Sequence, residues 1–451
     1  MKILIKGAGD LATGIAYRLK KAGHDILMTD IAVPTTVRRT VAFSRAVYEG
    51  RAVVEDMEAV LVHGADEVRE VLDSDRIAVI VDEAAEIRTE FEPDIVVDAI
   101  LAKRNLGTAI TDAELVIGVG PGFTAGADCH CVVETKRGHY LGRVLYEGSA
   151  IPNTGVPGEV GGYSTERIIR AEAEGVFNPL HKIGDCVTEG EPVAESGGVI
   201  ITARMPGIIR GMLQAGVHVT PGMKCGDIDA RCEENHCYTI SDKARAIGGG
   251  VLEAVDRFAA RRSDVAVVLL AAGSGSRYGS NKLLANINGR HMFEHAIAAA
   301  QEVDTAEGRR VIVTGYDEIG MYAVMRGFTA MYNRQPELGI SVSMKLGLSA
   351  VRDSAAVLFA VCDQPGLKGE TLNRLIHEYA ASDKGLVCAG HNGEPGNPCI
   401  FSRRYFHELE ALKGDTGGKR VIKKHLADLL VVEVPEEELA DVDVNKENKN
   451  R

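Results

Sequence analysis

Twice in this chain a run of aliphatic residues of strand length stops at a cluster of glycines and small residues. KILIK runs into Gly7-Ala8-Gly9, and VAVVLL runs into Ala271-Ala272-Gly273-Ser274-Gly275. A continuous apolar run is the habit of a strand buried on both faces, and glycines past its end let the backbone turn tightly into a helix. After the first unit come the helical pattern LATGIAYRLKKAG and further strand-length runs, DILMTD, RIAVIVD, DIVVDAIL and ELVIGVG. This alternation is βαβ grammar, so the fold class is α/β, with a parallel sheet covered by helices over residues 1–165. The second strand-to-loop unit predicts another α/β domain over 264–451. A chain of 451 residues has room for about three domains at roughly 150 residues each.

Between the two units the texture changes. Over 166–230 short segments are bounded by glycines, and Gly184-x-x-Val187-x-x-Gly190 returns as Gly216-x-x-Val219-x-x-Gly222. Two similar halves predict a small β-sandwich. Residues 231–263 then supply a helix and linker, with Ser241 or Asp242 as the cap of SDKARAIGGGVLEAVDRFAARR. Gly248, Gly249 and Gly250 each cost about 1 kcal/mol against Ala in such a helix. Either another backbone approaches closely there or the helix breaks.

Charge and composition narrow the function. Lys and Arg number 51 against 64 Asp and Glu, a net charge of -13, which disfavours nucleic acid and anionic membranes as partners. No apolar stretch approaches the roughly 20 residues of a membrane span. The opening MKILIKGAGD reads as a strand rather than a secretory signal, so a soluble, cytoplasmic protein is expected. Nine cysteines without a Cys-x-x-Cys pair read as reduced thiols. Cys129-His130-Cys131 and Cys232, His236, Cys237 hold soft ligands, but not at the spacing of a four-ligand zinc site.

The second glycine loop carries the clearest chemistry. From Ala271 to Lys282 it reads AAGSGSRYGSNK. Small residues let backbone N–H groups point at phosphate oxygens, and Arg277 and Lys282 supply positive charge for a triphosphate. The run is neither a Walker loop nor a dinucleotide fingerprint. As LAAGxGxRxGxxK it resembles the signature of the MobA-type nucleotidyltransferases, and other segments agree. Val361-Cys362-Asp363-Gln364-Pro365 resembles the family motif whose aspartate holds Mg²⁺ at a strand end. Asn333, Gly339 and Ser343 in YNRQPELGISVSMKLGL match the segment near the nucleotide. Gly414-Asp415-Thr416-Gly417 also fits, with Lys419 where an arginine is usual, and Asp441-Val442-Asp443 resembles the closing motif whose second aspartate helps the metal. The resemblance implies a Rossmann-like, GT-A-like nucleotidyltransferase domain. Arg277, Lys282 and Asp363 are then catalytic, and Asp363 and Asp443 hold Mg²⁺. Ala271, Ala272, Gly273, Gly275, Asn333, Gly339, Ser343 and Asp415 are expected at the substrate.

Among these enzymes, Ala-Ala-Gly together with Cys-Asp-Gln-Pro resembles the molybdenum cofactor cytidylyltransferases. The Ala272 methyl takes room beside the base that a glycine leaves for guanine, so cytosine is expected. The implied reaction joins CTP to molybdopterin-bound molybdenum, giving molybdopterin cytosine dinucleotide and pyrophosphate. No side-chain nucleophile is needed, because the acceptor's phosphate attacks in line and the protein supplies position and electrostatics. Asn397-Pro398 stands where His-Pro is common, and Val444-Asn445 replaces Thr-Pro. Two alternatives stay open: a nucleotidyltransferase acting on a sugar phosphate or methylerythritol phosphate, and a non-catalytic scaffold that binds nucleotide and cofactor for delivery.

The first glycine loop, Gly7-Ala8-Gly9-Asp10-Leu11-Ala12, satisfies Gly-x-Gly-x-x-Ala between strand and helix, and Asp30 closes the next strand. That context predicts a Rossmann-like nucleotide site at Gly7, Gly9, Ala12 and Asp30, for NAD(P) or another nucleotide. A pterin phosphate and a ligand-free turn are the alternatives; the charge of Asp10 opposes any phosphate in the loop unless its side chain turns away or caps the helix. A second cluster from Gly118 to Gly126, with Gly120 and Gly122, leads into Asp128, His130 and Glu134. That trio either binds metal or moves a proton, or else caps local backbone. Arg38-Arg39 offers a phosphate clamp or a solvated helix face. Whole phrases over 1–260, among them KGAGDLATGIAYRL, GPGFTAGADCH, PNTGVPGEVGGY and ISDKARAIGGGVLEA, resemble the YqeB-type family. That family accompanies selenium-dependent molybdenum hydroxylases, which implies a role in their maturation and an apo-hydroxylase as partner. The stretch 182–228 resembles a biotinyl/lipoyl-type sandwich, yet Glu195-Ser196-Gly197-Gly198 stands where that family carries its lysine. A structural or docking role is expected there rather than a swinging arm.

Overall fold

The computed structural model of the protein describes residues 1–153, 155, 161–273 and 282–441. The chain forms two compact units, Met1–Asp256 and Arg257–Arg451. Among the described residues no helix is long and apolar enough to cross a membrane.

The first unit is built on a nine-stranded sheet. Its strands are β1 (Lys2–Lys6), β2 (Asp25–Asp30), β3 (Arg51–Val54), β4 (Met57–Val62) and β5 (Ile77–Val81), then β6 (Ile95–Asp98), β7 (Leu115–Val119), β8 (Cys131–Val133) and β9 (Val144–Leu145). They lie in the order β3-β4-β5-β2-β1-β6-β7-β8-β9. Every pairing from β4 through β8 is parallel, and only β3 and β9 pair antiparallel, at the two edges. The cause lies in the sequence: Ile3, Leu4, Ile5, Val96, Val97 and Ile117 are wholly buried, as strands covered on both faces require. The chain leaves β1 toward β2 on one side and later returns to β6 on the other. The ends of β1 and β6 therefore open a crevice at the point where strand order reverses. The helix Asp10–Lys21 follows β1, with Asp10 in its first turn and Arg18, Lys20 and Lys21 in its last, as the helix dipole favours.

Next in the chain come β10 (Ile168–Arg170), β11 (Gly175–Pro179), β12 (Cys186–Val187), β13 (Pro192–Ser196), β14 (Val199–Thr202), β15 (Gly207–Met212), β16 (His218–Val219) and β17 (Lys224–Asp229). They form two four-stranded sheets, β10-β17-β15-β12 and β14-β13-β11-β16. The two sheets share a core that includes Phe177, Val193, Ile201, Ile209, Val219 and Ile228. The internal echo of the sequence falls on β12 and β16, one in each sheet, and its glycines 184, 190, 216 and 222 all take positive φ. These sheets do not stand apart from the first. Met212 N–H donates to the Val37 carbonyl at 2.7 Å, and Arg39 Nε donates to Met212 O at 2.8 Å. Arg38 is 6% exposed, and its Nη2 donates to His236 O at 2.8 Å. The Arg38-Arg39 pair is thus no solvated helix face.

The helix Asp242–Ser263 runs unbroken through its three glycines. A Cβ on Gly248 would stand 2.6 Å from the carbonyl oxygen of Gly14, in the first helix, and one on Gly250 would collide with the carbonyl of Gly142. Close backbone approach therefore explains two of the three. Gly249 faces open space.

The second unit holds β18 (Val265–Ala271), a small ladder of β19 (Asn286–Ile287) and β20 (Arg290–His291), then β21 (Arg310–Thr314), β22 (Thr329–Tyr332) and β23 (Ala356–Val361). It ends with β24 (Leu386–His391), β25 (Glu394–Ser402) and β26 (Leu429–Glu433). The seven-stranded sheet reads β22-β21-β18-β23-β25-β24-β26, and β25 alone runs against its neighbours. Along β18, Val265, Val267, Leu269 and Ala271 enter the core on one face, while Ala266 and Val268 enter the core on the other. The helix Ile340–Ala350 lies so close that a Cβ on Gly347 would collide with Val268.

Candidate functional site

In the second unit a cavity of about 360 Å³ opens beyond the ends of β18 and β23. These strands are adjacent and parallel, with Leu270 beside Val361, and Cys362 N–H donates to Leu270 O at 3.2 Å. Asp363 therefore emerges beside Ala272 and Gly273, with which it lines the cavity. Lys282 lines the same cavity, and its Nζ lies 3.2 Å from Asp363 Oδ2. Asp363 stays a third exposed and Lys282 less so, at 34% and 17% of their side chains, so the pair sits at the wall of an open groove.

The opposite wall depends on one glycine. Gly339 has φ +93°, and a Cβ there would stand 2.5 Å from Asp415 N. This approach, with Ser341 N–H donating to Gly414 O at 3.3 Å, brings Asp415 to the cavity beside Gly339 and Ser343. Asn333 is buried and braces the wall from behind. Its Nδ2 donates to Ser343 Oγ at 2.9 Å, and its Oδ1 accepts Gln335 N–H at 2.9 Å. Cys362 is buried too, which pushes its thiol up and keeps it protonated, so it is no nucleophile here. Gln364 anchors the motif by donating Nε2 to Leu439 O at 2.9 Å.

Of the residues expected at the substrate or in catalysis, Ala272, Gly273, Lys282, Gly339, Ser343, Asp363 and Asp415 line this one cavity. Asn333 stands behind the lining. Ala271 ends β18, buried, with its carbonyl accepting Thr314 Oγ1 at 3.2 Å. Gly275, Arg277 and Asp443 lie outside the described residues. Sequence reasoning missed the apolar wall, Leu283, Pro336 and Ile340, because such residues carry no signal that separates a pocket wall from ordinary core. A smaller cavity of about 160 Å³ shares Leu270, Ile340 and Val361 with the first and adds Asn397 and Lys419. Two of the positions at which the motifs depart from the family pattern, Asn397 and Lys419, thus face one recess, while Val444 and Asn445 lie outside the described residues.

The donor chemistry suits a hard divalent cation. Lys282 engages Oδ2 of Asp363, and among the described residues nothing is bonded to Oδ1. Mg²⁺ is commonly held by one or two carboxylates plus substrate phosphates. Among the described residues no three His, Cys, Asp or Glu gather as a ready-made metal cage.

In the first unit the expected nucleotide residues have packing duties. Gly7, at φ +93°, lets the exit of β1 pass the exit of β6, where a Cβ would lie 3.0 Å from Ala99 O. A Cβ on Gly9 would lie 3.3 Å from Thr36 Oγ1, and Ala12 is buried. Asp30, expected at the nucleotide, accepts Ala8 N–H at 2.9 Å and Ile31 N–H at 2.8 Å. Burial pushes its carboxyl up against these two bonds. Gly120 and Gly122 have positive φ, and side chains there would meet Thr135 and the Arg104 backbone. The polar trio likewise serves the backbone: Asp128 accepts Thr124 N–H, His130 Nδ1 accepts Val116 N–H, and Glu134 accepts Thr135, Lys136 and Ile151 N–H. Cys129 is pushed up to about 12 by burial, so it is an inert thiol.

Comparison with known proteins agrees with this division. Residues 267–429 match the MobA-like NTP transferase domain family. Over 253 residues the chain is 49% identical to the uncharacterized protein YqeB of Escherichia coli (strain K12), covering 56% of this chain and 47% of that protein. It is also 34% identical over 125 residues to the bifunctional protein GlmU of Rhodococcus opacus (strain B4), 25% of each. The chain therefore spans about half the length, or less, of these curated relatives. Among solved structures it is similar to Rv0371c from Mycobacterium tuberculosis H37Rv, at 22% identity over 40% of this chain and 94% of that one, with a TM-score of 0.33. The chain thus combines a YqeB-like part with a MobA-like NTP transferase domain.

Proposed function

We propose that the second unit is a Mg²⁺-dependent nucleotidyltransferase that moves CMP from CTP onto the pterin phosphate of molybdenum-bearing molybdopterin, releasing pyrophosphate. The observation that carries this reading is the Lys282–Asp363 pair at the wall of the cavity beyond β18 and β23, opposite Gly339, Ser343 and Asp415. An acceptor phosphate oxygen forms a bond to the α-phosphorus while the bond to the bridging oxygen breaks, and the electron pair leaves on pyrophosphate. Lys282 offers its ammonium to the charge that grows on the leaving group. Asp363, with Asp443 outside the described residues, would hold the metal, which when bound neutralises triphosphate charge. Gly339 and Asp415 fix the width of the nucleotide side, and Ala272 occupies the space beside the base, favouring the smaller cytosine. The recess with Asn397 and Lys419 adjoins this cavity and suits the acceptor.

The first unit, through its likeness to YqeB, serves maturation of a molybdenum hydroxylase in this reading, with the apo-enzyme as recipient of the product. Pyrophosphate release should be measured with Mg²⁺ and CTP, GTP or ATP, supplying molybdopterin-bound molybdenum or a sugar phosphate as acceptor. Release selective for CTP and the molybdenum acceptor is expected. Equal release from all three nucleotides, or release with the sugar phosphate alone, contradicts the substrate assignment. CTP binding without release contradicts catalysis.

A further inference from the structure

A concentration of positive charge lies in the first unit, at the edge of the first glycine loop, whose Asp10 and Leu11 reach it. A cavity of about 520 Å³ opens beyond the C-terminal ends of β1, β6, β7 and β8, beside the reversal of strand order, and residues of β10, β15 and β17 close it from above. Its lining holds nine Lys and Arg against two Asp, in a chain whose net charge is -13. Such a gathering opposes the general composition and needs a cause.

The cations are not simply neutralised in place. Arg38 and Arg210 both donate to the single carbonyl of His236, at 2.8 and 3.4 Å, which crowds two guanidinium groups that are 6% and 7% exposed. Asp10 lies 3.7 Å from Arg38, and Asp229 lies 3.6 Å from Arg210. Asp229 is shared with Arg231, and Arg167 takes Asp227. Among the described residues, the buried Nε atoms of both Arg38 and Arg167 have no hydrogen-bond partner. A buried guanidinium N–H left without an acceptor is costly unless a ligand completes it. Lys243, more than half buried, has no ion pair within 4 Å among the described residues, and neither has Lys136 at the rim. Burial and then Arg137 weaken the hold of Lys243 on its proton, while burial and then Arg210 do the same for Arg38. Each of these costs falls when a polyanion enters.

We propose that this cavity binds a small molecule of nucleotide size through a pyrophosphate-type group, with Arg38, Arg167, Arg210, Lys136 and Lys243 as its cationic partners. The volume suits one such ligand, and guanidinium forks bind phosphate oxygens in pairs. Gly7, Gly9 and Asp30 do not line the cavity, whereas Asp10 and Leu11 of the same glycine loop do. It also contains no residue of the second unit, so it stands or falls apart from the transferase reading.

The test is calorimetric titration of the full chain with inorganic pyrophosphate and with ADP, metal-free, comparing wild type, Lys136→Gln/Lys243→Gln and Lys282→Ala. Both probes should bind wild type, ADP at least as tightly as pyrophosphate, with affinity falling steeply as salt rises. The double variant, its circular dichroism unchanged, should bind at least about tenfold more weakly, whereas Lys282→Ala should retain this binding. The proposal is overturned if neither probe binds at roughly millimolar concentration, or if Lys282→Ala abolishes binding while the double variant keeps it. Arg210→Lys supplies a second reading should the double variant misfold: it keeps the charge but loses the fork, and unchanged affinity in it also counts against the proposal.

Discussion

The two units solve the same topological problem with opposite electrostatics. Each ends its central parallel strands in glycine-containing loops, and each leaves a crevice beyond those strand ends. In the second unit the crevice pairs a lysine with a carboxylate, Lys282 with Asp363 at 3.2 Å. In the first it gathers nine cations around two carboxylates. A crevice that keeps a free carboxylate oxygen can hold a cation between protein and phosphate, which is what a phosphoryl-group transfer requires. A crevice dominated by guanidinium and ammonium groups binds anions directly and offers a metal no seat. The sheet determines where a ligand sits, and the charge at the strand ends determines what happens to it.

The comparison can be sharpened by substitution, beginning with the largest effect. Lys282→Ala should lower kcat/KM for pyrophosphate release by about 100-fold, in the range measured for loss of one transition-state donor. Unchanged steady-state kinetics would remove the lysine from the chemistry. In the first unit, burial pushes the Asp229 carboxyl up, but its bonds with Arg231, at 2.6 and 2.9 Å, and the nearby Arg210 bring it down to about 2. A depressed carboxylate stabilises the fold above its unfolded pKa, roughly 4, and loses that contribution as pH falls toward its folded value. Asp229→Asn should therefore cost about 2 kcal/mol at neutral pH and flatten the acid limb of stability between about pH 4 and 2. Denaturant melts across that window show whether it does.

A smaller effect concerns the helix that carries Lys243 to the first crevice. Gly248→Ala should cost at least about 1 kcal/mol by overpacking against Gly14, and Gly250→Ala should act likewise against Gly142. Gly249→Ala, facing open space, should gain about 0.5–1 kcal/mol from helix propensity. Equal shifts in thermal midpoint for all three would break the packing account.

How much of this was legible depends on how local each signal is. Parallel strands, the echo on β12 and β16, and the close neighbours at Gly248 and Gly250 all follow from patterns within a few residues, whereas Gly249 faces open space. The cavity of the second unit was legible because its polar members sit in short motifs after strands. Asn333 was placed in the right neighbourhood, but as a contact rather than a brace, since a buried amide and a binding amide look alike in sequence. Asp30 shows the same limit: an acid at the end of the second strand satisfies the fingerprint whether or not it meets a nucleotide, and here it accepts the N–H of Ala8. Of the cationic crevice only Arg38, offered as part of a phosphate clamp, was legible, because Arg38, Lys136, Arg167, Arg210 and Lys243 come from five separate segments and meet only after folding. Nor did any local pattern announce the Val37 to Met212 hydrogen bond, which ties the paired four-stranded sheets into the first unit.

The division of labour is tested most directly by Mg²⁺-dependent pyrophosphate release from CTP, measured side by side in Asp363→Ala and Lys136→Gln/Lys243→Gln. The account predicts that release is nearly abolished in the first variant and close to wild type in the second, with both proteins folded. Substantial release by Asp363→Ala, or its loss in the double variant alone, would contradict the assignment of chemistry to the second crevice.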